Sequence, residues 1–203
     1  MHKPFTCSGA RVSDRLRWLP NALSCLRLGL AAPIAWAIWQ QAFDVALLLL
    51  FTACGTDLLD GWLARRFAWQ SRLGAFLDPA ADKILIGTTF LMLSWLGHVA
   101  VWLAALVVGR DVLIAGGALT FRVLYGPFEH AATALGKVST LLQMLLIVVV
   151  VAGLGVGAQW QVYARGAVVV LTALVVVVAL CSGADYVWTW SRRAAHTTRG
   201  AGT

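Results

Sequence analysis

Six long apolar runs, each close to the length of a bilayer-crossing helix, decide what this chain can fold into. They cover about 21–39, 43–65, 74–96, 100–124, 136–157 and 164–190. Roughly 20 apolar residues, at about 1.5 Å each, cross the hydrocarbon core of a membrane. The 203 residues are 60% hydrophobic and 12% charged, with a mean hydropathy of +0.80. A soluble domain carries about 25% charged residues. The sequence therefore predicts an all-α integral membrane protein with six transmembrane helices. A β-barrel fits poorly, because its strands alternate in character over about ten residues, whereas these runs are longer and rich in Leu, Ala and Val.

The formal net charge of +7 does not point to nucleic acid, because the basic residues gather in alternate connections. QQAFD, LGHVA and GAQWQV follow the first, third and fifth runs and contain no Lys or Arg, although Arg165 begins the sixth. The other side receives the basic N-terminus, Arg65, Arg66 and Arg72, Arg122 and Lys137, and Arg192, Arg193 and Arg199. The positive-inside rule then puts both termini and the second connection in the cytoplasm. In a bacterium the membrane would be the inner one. Trp36, Trp39, Trp95, Trp102 and Trp160 fall near the expected outer ends, and Trp18, Trp69, Trp188 and Trp190 near the inner ends. That is the distribution of interfacial belts.

Residues 1–19 intersperse Lys3, Arg11, Arg15 and Arg17 with Val12, Leu16, Trp18 and Leu19. They read as a short amphipathic helix lying on the membrane surface. Residues 20–190 form the expected membrane domain, and 191–203 read as a disordered cytoplasmic tail. A signal peptide fits poorly, since Arg27 interrupts the first run and no small-residue cleavage site follows it. Cys7, Cys25, Cys54 and Cys181 have no metal-ligand spacing and read as small hydrophobes.

Charges at membrane depth are costly and face a polar interior or a water-filled cavity. Here they are Arg27, Asp57, Arg110, Asp111 and Asp185. Adjacent Arg110 and Asp111 point to different helix faces, so each calls for its own partner. Asp185 calls for a basic one.

Chemistry concentrates in DLLDGWLARRFAWQSRLGAFLDPAAD, residues 57–82, with the pattern D-x2-D-G-x2-A-R-x8-G-x3-D-x3-D. Asp57 and Asp60 share one face of the second helix, and Asp78 and Asp82 share one face of the third. A short basic loop folds the two helices into a hairpin, so all four carboxylates can converge at the inner membrane surface. Deprotonated and close together, they need cations. Oxygen donors without His or Cys favour Mg²⁺, Mn²⁺ or Ca²⁺. Two ions about 3.5–4 Å apart are feasible, the arrangement that handles phosphoryl and nucleotidyl groups. Gly61, Ala64 and Gly74 remove side-chain bulk where a ligand would approach, and Arg65 offers a planar fork suited to a diphosphate. The bland alternative is an ion-paired hairpin in which Arg65, Arg66, Arg72 and Lys83 neutralise the acids.

At every defining position the stretch resembles the signature of the CDP-alcohol phosphatidyltransferase family. PNALSCLR at 20–27, LDPAADKILIG from 77 and GKVSTLLQ at 136–143 are similar to it as well. The resemblance covers residues 20–190. It implies a six-helix membrane enzyme, commonly a homodimer, with its active site open to the cytoplasm. It further implies that Asp57, Asp60 and Asp78 hold Mg²⁺ or Mn²⁺, with Asp82 a possible further ligand. Asp57, Gly61, Arg65, Gly74 and Asp78 would line the site for the CDP moiety of CDP-diacylglycerol, and Asp82 would be the general base.

Within the family, the TDLLDG…LGAFLDPAADKILI core followed by GRDVLIAGG is similar to the cardiolipin-forming branch, whose acceptor is phosphatidylglycerol. LDPxADK and GKxxTxxQ are shared with the branch that uses glycerol 3-phosphate. That branch more often has Arg-Glu and a second arginine where this chain has Arg110-Asp111 and Gly116-Gly117. Either acceptor is anionic and calls for cations; the candidates are Lys83, Arg110, Arg122 and Lys137. A transporter could also use intramembrane acids, but it often carries inverted repeats or interrupted helices, and neither is evident.

Overall fold

The computed structural model describes residues 19–67, 74–125, 134–155 and 158–200, with side-chain surroundings over 22–59, 78–117, 120, 135–155 and 165–186. These residues form six helices: α1 (Leu19–Trp39), α2 (Phe43–Phe67), α3 (Gly74–Trp95), α4 (Val101–Tyr125), α5 (Ala134–Gly155) and α6 (Ala158–Gly200). The bounds follow the first five apolar runs to within about two residues, whereas α6 begins at Ala158, ahead of the expected 164, and continues past the expected end at 190 to Gly200. The expected surface helix over 1–19 lies, apart from Leu19, outside the described residues.

Two compact units divide the chain, residues 1–89 and 90–203, with the boundary inside α3. In the first unit α1 packs on α2. Ala31, Ile34, Ala37 and Ile38 of α1 and Ala46, Leu50 and Ala53 of α2 are buried, recurring every three or four residues as a helix face requires. The alanines let the backbones approach closely, as helix pairs in lipid demand. In the second unit α6 packs on both α4 and α5. Leu103, Ala104 and Val107 of α4, Leu146, Ile147, Val150 and Val151 of α5, and Val175 and Ala179 of α6 are buried at the same spacing.

The outward faces are apolar too. Leu48, Phe51 and Leu58 on α2 and Val169, Val170, Leu174 and Val177 on α6 are exposed. A helix apolar all round is solvated by lipid rather than water. Helices α1, α5 and α6 each hold a stretch long and apolar enough to cross a membrane: Ala22–Trp39, Leu135–Gly155 and Arg165–Tyr186. Hydroxyls are handled accordingly. Thr52, Thr88, Thr89, Thr120 and Thr140 donate to the carbonyl four residues earlier in their own helices, which satisfies them without water. Trp36, Trp39, Trp95 and Trp102 are exposed at helix ends, where interfacial anchors belong. The inner-end tryptophans fall outside the described side chains.

The turns after α1 and α3 share one design. Ala42 N–H donates to Ala37 O and Gln41 N–H to Ile38 O, both at 2.9 Å. Likewise His98 N–H donates to Leu93 O at 2.9 Å and Gly97 N–H to Ser94 O at 3.0 Å. This six-to-one and five-to-two pairing places one residue in the left-handed region: Gln41 at φ 57° and Gly97 at φ 78°. Only glycine occupies that region without strain. Gly97→Ala should therefore cost about 1 kcal/mol, read as a lowered melting temperature in detergent. Gln41→Ala should change little, because Gln41 already bears the strain.

Candidate functional site

Helix α1 contributes two polar residues one turn apart, Ser24 and Arg27, and both are buried. Spacing of three puts them on one helix face. Each takes one acid of the motif. Arg27 Nη1 lies 2.7 Å from Asp57 Oδ1 on α2, with Arg27 1% exposed and Asp57 54% exposed. Ser24 Oγ donates to Asp78 Oδ1 on α3. Cys54, one turn before Asp57, feels the charges of Asp57, Asp82 and Arg27 together. The first unit thus brings acids from α2 and α3 against one face of α1.

Burial explains why the pair forms. A guanidinium in an apolar interior is tolerated only with a counter-charge and hydrogen bonds, and the carboxylate of Asp57 supplies both. Asp57 keeps its other face toward the exterior. A carboxylate has about four acceptor sites, so one bond to Arg27 does not exhaust it. Asp78 and Asp82 are half-buried.

Asp60, Gly61 and Arg65 lie in the last turns of α2, and Gly74 opens α3; their side-chain surroundings lie outside the described residues. So do those of Arg122 on α4. Among the described residues, no three His, Cys, Asp or Glu come together as a metal-binding group. The donor set nevertheless has the right chemistry for a hard divalent ion, since Asp57, Asp78 and Asp82 offer carboxylate oxygens only.

Of the candidate acceptor cations, Lys83 is half-buried on α3 and Lys137 is exposed near the start of α5. Arg110 and Asp111, for which separate partners were expected, also pair directly with each other, Nη1 to Oδ1 at 2.6 Å. Arginine is long and flexible enough to fold its fork back onto the next residue. Its Nη2 donates to the buried hydroxyl of Ser182 on α6, while its Nε is buried without a hydrogen-bond partner. Arg110 therefore links α4 to α6. Helix α5 carries a buried polar step of its own, Gln143 Nε2 donating to Ser139 Oγ at 3.2 Å. Among the described residues, Asp185 has no ion-pair partner.

Sequence reasoning passed over Ser24 and gave Arg27 no role. The available signal was a polar pair at i and i+3 inside an apolar run, within PNALSCLR.

The protein's described residues form helices with apolar outward faces, three of them long and apolar enough to cross a membrane, the architecture of an integral membrane protein. Its sequence matches the family model of the CDP-alcohol phosphatidyltransferases over residues 17–184, and the chain belongs to that family. A cardiolipin synthase (CMP-forming) of Rattus norvegicus is 34% identical over 145 residues, covering 64% of this chain and 48% of the relative. A probable phosphatidylglycerophosphate synthase of Mycobacterium tuberculosis is 32% identical over 179 residues, covering 85% of this chain and 81% of the relative. A CDP-diacylglycerol–glycerol-3-phosphate 3-phosphatidyltransferase of Cereibacter sphaeroides is 31% identical over 174 residues, covering 74% and 75%. The chain spans about half the length of the animal cardiolipin synthases it matches.

The ion pair makes a direct prediction. Arg27→Met should destabilise the protein by about 1–3 kcal/mol, less than a fully buried pair would cost because Asp57 is half exposed. Arg27→Lys should recover part of the loss. Unfolding of both variants in detergent measures it, and equal stability of Arg27→Met and the parent would remove the pair from the account.

Proposed function

We propose that the chain transfers the phosphatidyl group of CDP-diacylglycerol to an alcohol hydroxyl and releases CMP. The observation that carries this reading is the gathering of motif acids against Ser24 and Arg27 of α1, in a chain whose family handles CDP-alcohols. The catalytic unit is the membrane domain at residues 20–190, with six spans and the motif at the cytoplasmic surface. The N-terminal segment lies on that surface, residues 191–203 form a cytoplasmic tail, and the working form is a homodimer.

Asp57, Asp60 and Asp78, with Asp82 as a further oxygen donor, would hold Mg²⁺ or Mn²⁺, a pair of ions in the fullest case. Bound there, the ions would neutralise the diphosphate and the departing phosphate. The chain's own residues do the rest. Gly61 and Gly74 leave room for the CDP moiety beside Asp57 and Asp78, and Arg65 orients the diphosphate through its planar fork. Asp82 takes the proton of the acceptor hydroxyl. The hydroxyl oxygen then attacks the phosphorus that bears diacylglycerol, the bond from that phosphorus to the CMP oxygen breaks, and CMP departs. Arg27 and Ser24 hold Asp57 and Asp78 in place.

The preferred acceptor is phosphatidylglycerol, giving cardiolipin. The core sequence and the likeness to cardiolipin synthases support it. A second reading, glycerol 3-phosphate, is favoured by the longer coverage of the mycobacterial phosphatidylglycerophosphate synthase. In either case Lys83, Arg110, Arg122 and Lys137 are the candidate cations for the acceptor phosphate.

Purified protein in mixed micelles, given CDP-diacylglycerol and Mg²⁺ or Mn²⁺, should release CMP, and a chelator should stop the release. Phosphatidylglycerol should be the acceptor that yields product, identified by mass as cardiolipin. Product with glycerol 3-phosphate alone selects the second reading. Asp82→Asn should lower turnover by about 10²–10⁴ while CDP-diacylglycerol still binds; turnover near the parent rate would show that Asp82 is not the base.

A further inference from the structure

We infer that the second unit carries a separate site for one anionic phospholipid, in the groove between α5 and α6 beside the connection after α3. The groove encloses about 520 Å³, within the range of small-molecule sites. Its walls are Val150 and Leu154 of α5 and Val168 and Val169 of α6, and its polar side chains are His98 and Arg165. No acid lines it. A hydrocarbon tail fits walls of this kind, and an anionic head fits two nitrogen donors at their end.

Position selects a lipid over a free phosphate. Arg165 directly precedes the apolar run GAVVVLTALVVVVALC of α6, residues 166–181, and follows the more polar AQWQVYA. It therefore stands where apolar surface meets the headgroup layer, the depth of a phosphodiester. His98 stands in the connection that follows α3, its backbone pinned by the bond to Leu93 O at 2.9 Å, so the turn at Gly97 fixes one wall of the groove. Arg165 is also the basic residue that runs against the chain's charge asymmetry, on the side whose connections otherwise have no Lys or Arg. Among the described residues no acid pairs with Arg165, although an exposed arginine at such a border would gain from one. A lipid phosphate supplies that counter-charge. The site is independent of the transfer chemistry, because none of its residues belongs to the motif.

Native mass spectrometry of the full-length protein tests it, with dioleoyl phosphatidylglycerol as the anionic probe and dioleoyl phosphatidylcholine as the neutral one. Phosphatidylglycerol held elsewhere on the protein is common to all variants, so the comparison reads the groove alone. The doubly substituted His98→Gln, Arg165→Gln protein should hold one phosphatidylglycerol fewer than the parent. Its binding at that site should be weaker by about tenfold, with phosphatidylcholine binding unchanged. Val169→Trp fills the groove without altering charge and should lose the same lipid, which keeps the test decisive if the double variant misfolds. Parent-like phosphatidylglycerol binding in a folded variant overturns the site. So does an equal loss of phosphatidylcholine, which would make the groove a neutral acyl slot. Parent protein that dimerises through this face, with Val169→Trp monomeric, would assign the groove to a second copy and overturn it as well.

Discussion

A buried guanidinium sets the terms for the first unit. Placed one turn after Ser24 in an apolar helix, Arg27 is almost wholly withdrawn from the surface, and in that setting a charge must be answered. The answer comes from Asp57, the first acid of the motif, at 2.7 Å. One interaction therefore does two things. It fastens α2 to α1, and it fixes a carboxylate that remains half exposed. Ser24 repeats the arrangement with Asp78 of α3 in neutral form. Three helices are tied by polar links whose acceptor ends are the groups that phosphoryl chemistry needs.

The second unit uses the same device differently. Arg110 also sits in an apolar helix, but its fork is divided between the neighbouring Asp111 and the hydroxyl of Ser182. The result is a clamp between α4 and α6. Interhelical polar links of this kind act as glue where lipid offers no hydrophobic drive between helices. The buried Nε of Arg110, without a hydrogen-bond partner, marks the position as costly.

The helices were legible in the sequence because their cause is local. Apolar length and the Gly, Gln and charged breaks between runs gave α2 as 43–65 against Phe43–Phe67, and α3 as 74–96 against Gly74–Trp95. The end of α6 was less legible, since charged composition after Trp190 does not by itself stop a helix already nucleated. At the site, the spacing of Asp57, Asp78 and Asp82 spoke for carboxylate chemistry. The partners of Asp57 and Asp78 did not follow from spacing, because Ser24 and Arg27 are separated from them by more than a helix length of chain. The direct pair of Arg110 with Asp111 was missed for the opposite reason. Helix geometry sends adjacent residues to different faces, yet a long side chain can turn back along the backbone.

The acids held by α1 are proposed as a site for divalent cations. Electron paramagnetic resonance of Mn²⁺ titrated into the purified protein with CDP present tests it without requiring turnover. A saturable, broadened signal from bound metal is expected, at up to about two ions per chain, much weakened in Asp78→Asn. The narrow six-line spectrum of free aqueous Mn²⁺ at every protein concentration, or binding undiminished in Asp78→Asn, would contradict it.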